Sequence, residues 1–228
     1  MANRQNALPA GSHRPHGLWF LLLALALGMA GYAAAYFVFG EAMFPDEVAD
    51  SFLARPWGIY PHAFFGTFAI AIGPFQFLRK QIRGRKWHRR LGKIYLIAAL
   101  GTGLSGFYMA VYSYGGWITH LGFGGMASSM ILTTLAAYRE IRAGRVRTHR
   151  EWMIRSYSVM FSAVTFRAWL GILTATTGGE FLFAYGAASW LSWVLNLIWA
   201  EFYLRRSFRW TAVRAIVAEM SSVLERGR

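Results

Sequence analysis

The sequence predicts an all-α integral membrane protein: a six-helix transmembrane bundle followed by a C-terminal interfacial amphipathic helix. Three observations lead there. Of the 228 residues 56% are hydrophobic and 15% charged, a balance that a soluble domain of this length cannot bury in one core. Six windows are long and apolar enough to cross a hydrocarbon layer about 30 Å thick, which takes roughly 20 residues of helix. Finally, 22 of the 24 Lys and Arg residues fall in alternate segments between those windows and in the two tails, the asymmetry that orients multi-pass proteins.

Taken in order, residues 1–17 form a polar N-terminal tail containing His13 and His16. The first span, 18–39, has an apolar run longer than a signal peptide's and no small-residue cleavage site at a suitable position, so it reads as a retained helix. The others cover 57–78, 91–113, 117–138, 152–176 and 181–204, and together 18–204 make the membrane domain. Trp57, Trp117, Trp152, Tyr112, Tyr114 and Tyr138 stand at span ends, where amphipathic rings favour the headgroup region. In the tail, 205–228, Trp210, Val213, Val217, Met220 and Leu224 recur at helical spacing among Arg209, Arg214 and Arg226, the pattern of a helix lying in the membrane interface.

Orientation follows from the loops. Segment 79–93 carries eight basic residues, 139–155 six and 205–228 six, whereas the loop 40–56 sets Glu41, Asp46, Glu47 and Asp50 against Arg55. Basic loops stay inside, which places both termini in the cytoplasm of a cell with the protein in its bacterial inner membrane. The net charge of +14 is therefore a topogenic signal facing the lipid bilayer, and no nucleic-acid partner is expected. With no cysteine, disulfides, thiolate metal sites and thiol redox chemistry are excluded, so a redox role requires a bound cofactor. G-x-S-x-G and H-E-x-x-H are absent too, which disfavours a hydrolase.

Four histidines carry the chemistry. His62 begins the second span and His120 the fourth, while His88 precedes the third and His149 the fifth. Because successive spans alternate in direction, His62 and His120 share the outer side, and His88 and His149 the inner side. Each pair suits the axial ligation of a haem held between helices of a bundle. One or two haem b groups follow as the expected cofactor, held without thioether links; two of them would be separated by roughly 20 to 25 Å at 1.5 Å per residue.

Arg167 lies inside the fifth span, and its cost of about 3 kcal/mol on insertion scales requires a partner: a haem propionate, an anionic substrate or Glu180. Glu201 has Arg205 one turn on as a local ion partner. Gln76 and Asn196 are expected to bond across helices, and Pro74 to kink the second span.

The segments PHAFFGTFAIAIGPFQFLRK, HRRLGKIYLIAALGTGLSG and THREWMIRSYSVMFSAVTFRAWL, spread over roughly 57–204, resemble an uncharacterised bacterial membrane family known as domain of unknown function 2306. The matching positions are His62, Gly73 to Phe77, His88 to Gly92, His149 to Ser156 and Arg167. The resemblance brings no established activity, and a histidine at the place of His120 is not a regular feature of the family. The layout is also similar to that of the cytochrome b-561 class, whose helices two to five carry haem-ligating histidines. That similarity implies transmembrane electron transfer with a quinone or another redox partner. A small-molecule anion or lipid transporter, and an accessory subunit of a membrane complex, are the alternatives. No internal repeat of the carrier type is visible.

Overall fold

A computed structural model describes the backbone of residues 16–77 and 84–226 and the side chains of 17–77, 84 and 86–206. The described regular structure is helical throughout: α1 (His16–Phe39), a 3-10 turn (Gly40–Met43), α2 (Asp46–Leu53), α3 (Pro56–Gln76), α4 (Arg85–Val111), α5 (Trp117–Arg142), α6 (Val146–Met160), α7 (Ser162–Thr176) and α8 (Phe181–Arg226). Turns between long helices are tight. Gly116 (φ 69°) before α5 and Gly144 (φ 77°) before α6 adopt the left-handed backbone that a side chain disfavours.

Five helical segments are long and apolar enough to cross a membrane: Gly17–Met43, Lys86–Val111, Trp117–Arg142, Val146–Thr176 and Phe181–Arg206. The expected second span is α3, whose 21 residues amount to about 31 Å of helix. Pro61, His62, Pro74 and Gln76 dilute its hydropathy, and it is not among those five segments. Helix starts also differ from expectation. Arg and Lys are good helix formers, and α4 begins at Arg85 and α6 at Val146; His88 and His149 thus lie one turn inside their helices rather than before them.

One end of the bundle is basic and the other carries α2 with Asp46, Glu47 and Asp50. In the basic half, α3, α4, α5 and α6 form a closed ring in which each helix packs on the next and α6 returns to α3, with α1 laid on α3 and α8 on α5 and α6. Ile70, Tyr95, Met130, Tyr157, Val159 and Met160 fill its core. Small residues such as Ala69, Ala98 and Ala99, all buried, let the backbones approach, as membrane helices require.

The fifth span is two helices joined at Phe161. Asn196 of α8 supplies the reason: its Nδ2 donates to the Ser158 carbonyl at 3.0 Å and to Thr165 Oγ1 at 3.1 Å. A polar side chain thereby takes a carbonyl that the next helical turn would use, one of the recognised causes of a helix break. Past the joint, the Val164 and Thr165 amides both donate to the Phe161 carbonyl. From there α7 packs chiefly on α8 and touches α1 lightly, held by the Phe123, Phe166 and Tyr185 rings at 5.2 to 5.6 Å.

The last span and the tail form one helix of 46 residues, about 69 Å long, with no break where an interfacial segment was expected to start. The apolar face expected of Trp210, Val213, Val217, Met220 and Leu224, the N-terminal tail ahead of His16 and the stretch 78–83 of the first basic loop lie outside the described residues.

Candidate functional site

A buried polar layer crosses the ring in its basic half. The Tyr95 and Thr134 hydroxyls each hydrogen-bond Ser156 Oγ at 2.9 Å, joining α4, α5 and α6. The Tyr157 hydroxyl donates to the Ile70 carbonyl of α3 at 3.2 Å. Gly73 makes this possible, because a β-carbon there would overlap the Tyr157 ring. Gln76, 9% exposed, was expected to bond across helices; its Nε2 has no partner among the described residues.

His88 and His149 relate to this layer by spacing. Each stands seven residues before one member of the bonded pair Tyr95 and Ser156. Positions seven apart share a helix face to within about 20°. The two histidines therefore lie on the facing sides of α4 and α6 at one level, about 10 Å nearer the basic end. His149 Nδ1 meets the Ala137 carbonyl of α5 at 2.7 Å.

The acidic half separates the other pair. His62 Nδ1 meets the Thr102 carbonyl at 3.1 Å and His120 Nδ1 the Ala110 carbonyl at 2.8 Å. Those carbonyls are eight residues apart on α4, about 12 Å along its axis. His62 lies six residues into α3, His120 three into α5. Both rings are drawn onto different turns of α4. A feature shared by His62, His120 and His149 is chemical. A carbonyl only accepts, so Nδ1 carries the proton, and in its neutral form such a ring presents Nε2 as a lone pair, the way a metal-binding imidazole is usually oriented.

Arg167 belongs to the acidic half. Its Nη1 donates to the Ala163 carbonyl at 2.9 Å, and its guanidinium sits 4.5 Å from the centre of the Tyr32 ring, within electrostatic reach of Tyr36, His62 and Tyr185. Glu180 is not its partner; among the described residues no carboxylate lies within ion-pair distance of it. Eighteen residues separate it from His149, about 27 Å of helix, too far for a propionate of any group held at the basic end. Glu201 also departs from expectation. Instead of Arg205 it pairs with Arg155 of α6, Nε to Oε1 2.5 Å and Nη2 to Oε2 3.1 Å, with the Arg155 guanidinium over Trp152 at 4.7 Å.

Reading single residues in sequence missed Tyr95, Thr134, Ser156, Tyr32 and Tyr36. The seven-residue step from His88 to Tyr95 and from His149 to Ser156 was a signal available for two of them. Metal-binding clusters of three or more His, Asp or Glu side chains do not occur among the described residues.

Fold and site define a multi-pass helical membrane protein. Residues 59–204 match the family model described as Predicted membrane protein (DUF2306), and the chain belongs to that family. No curated protein and no solved structure matches it.

Proposed function

We propose that the chain crosses a bacterial inner membrane six times, α3 being the second span, with both termini cytoplasmic. We further propose that it holds b-type haem at the cytoplasmic end between His88 and His149 and serves in transmembrane electron transfer. The positive-inside rule supports the orientation, since 22 of 24 basic residues belong to alternate loops and the tails. One observation carries the haem reading: two histidines at one level on facing helices, two turns from a side-chain pair that joins those helices. His149 has its Nδ1 tied down by Ala137, which fixes its tautomer and leaves Nε2 for iron. Gly92, one turn beyond His88, faces the Gln76 side chain, whose Oε1 is 3.5 Å from where a β-carbon would stand.

A bound haem would supply a one-electron centre to a chain whose lack of cysteine rules out thiol chemistry. A quinone or a membrane partner would complete the route. The layout of the four histidines, similar to that of the cytochrome b-561 class, supports this reading for the inner pair; His62 and His120, drawn to separate turns of α4, are not included in it.

Oxidised and dithionite-reduced spectra of the detergent-purified protein, with a pyridine haemochrome assay, test the reading. One haem per chain is expected, lost in His149→Ala and in His88→Ala and retained in His120→Ala. Two haems, the second lost in His120→Ala, would reinstate the outer pair. Expression with ample haem that yields an apoprotein would overturn the proposal. An anion or lipid carrier is the second reading, and the uncompensated charge of Arg167 favours it.

A further inference from the structure

We infer that Arg167 is the centre of a separate binding site for an anionic oxygen head group, carboxylate or phosphate, carried on an apolar body. The site deepens the carrier reading and does not rest on haem at the basic end.

Depth is the first argument. Arg167 lies nine residues from the end of α7 at Thr176, about 14 Å along the helix, so it sits well within a hydrocarbon layer about 30 Å thick. A long cationic side chain at that depth ordinarily runs toward the nearer interface. This one turns the other way, back along α7 to the Ala163 carbonyl, and lays its guanidinium on Tyr32. Its position is fixed by an internal bond and a ring rather than by water.

The second argument is charge. Ionisable groups at this depth are compensated by a partner or serve a function, and no described carboxylate is within ion-pair distance of Arg167. Its fork has five N–H donors, of which one reaches Ala163 and another is directed at the Tyr36 hydroxyl, and the residue is exposed. Donors therefore remain for a ligand.

The surroundings define the rest of that ligand. Tyr36, 5% exposed, joins its hydroxyl to that of Tyr32 at 3.4 Å, and both rings come from α1. His62 approaches from α3 with Nδ1 committed to Thr102, which leaves Nε2 as its remaining polar atom. A single positive charge among aromatic rings matches one anionic head attached to apolar substance. A fully hydrated inorganic anion would shed its water there with nothing apolar to offset the loss.

The experiment measures binding to the full chain in neutral detergent, using decanoate, decyl phosphate, decanol and inorganic phosphate as probes and thermal stabilisation as readout. Decanoate and decyl phosphate are expected to raise the melting temperature, decanol and inorganic phosphate to leave it unchanged. Arg167→Gln should weaken the anionic amphiphiles about tenfold or more, as loss of a charge-assisted hydrogen bond does, and Tyr36→Phe about two- to tenfold, as loss of a neutral one does. Equal protection by inorganic phosphate or by decanol would overturn the inference, as would unchanged affinity in Arg167→Gln. Should that variant fail to fold, unchanged affinity in Tyr36→Phe is the overturning result. The haem content of Arg167→Gln is expected to equal that of the unaltered protein, so this inference and the haem proposal fail separately.

Discussion

The two halves of this bundle are built from the same helices and differ in what fills them. In the basic half four helices close on one another around Tyr95, Ile70 and Val159, each no more than 2% exposed, and hydroxyls satisfy one another across the ring. In the acidic half α7 packs chiefly on α8, and an arginine, a histidine and two tyrosines stand near one another with no described carboxylate within ion-pair distance of the arginine. Mutual satisfaction of polar groups serves stability, and a charge without an ion partner serves binding. The contrast assigns the first role to the basic half's interior and the second to the region around Arg167.

The largest effect expected from breaking this contrast is Tyr157→Ala. It empties a buried aromatic site and should cost about 3 to 5 kcal/mol, read as a lowered melting temperature in detergent, whereas Tyr32→Ala in the other half should cost less than half as much. Next comes a pair on α3. Gly73→Ala puts a β-carbon into the Tyr157 ring and should destabilise by about 1 to 3 kcal/mol. Gly66→Ala meets only Thr102, at 3.9 Å, and should leave the unfolding midpoint unchanged or raise it. If both glycines respond alike, the two halves are packed alike and the distinction fails. Asn196→Leu removes the bonds at the Phe161 joint for about 1 kcal/mol; spin-label distances between α3 and α7 should shorten as the fifth span straightens. The smallest effect belongs to Arg145→Ala, whose ion pair with Glu140 at 2.6 Å is at the surface, and no measurable change in melting temperature should follow.

Helix content and the alternation of loops were legible in the sequence because hydropathy and charge are summed over many residues. Features that hinge on one side chain were not. The second span was read from length and general apolarity, yet its prolines and His62 leave it below the hydropathy of the other five. Glu201 has a basic residue one turn away, and nothing local says that Arg155, 46 residues earlier, reaches it first with a two-point contact. His62 and His120 seemed level because both begin spans. Their depths depend on where α3 and α5 start, and a shift of a turn is invisible to a count of apolar residues. Arg167 was recognised as costly from position alone; its ring and tyrosine neighbours needed the fold of α1 against α3.

The joint at Phe161 has a mechanical side. A straight helix keeps all of its hydrogen bonds to itself and can slide or rotate against its neighbours at little cost. Here the Ser158 carbonyl is engaged by Asn196, and Thr165 Oγ1 donates to the Ser192 carbonyl at 3.0 Å, so the segment made of α6 and α7 and the helix α8 are pinned to each other in both directions. Neither can move by a helical turn without losing both bonds. Any displacement of Arg167 therefore carries α8 with it, and through the bonds of Asn196 to Ser158 and of Glu201 to Arg155 it is felt by α6 as well.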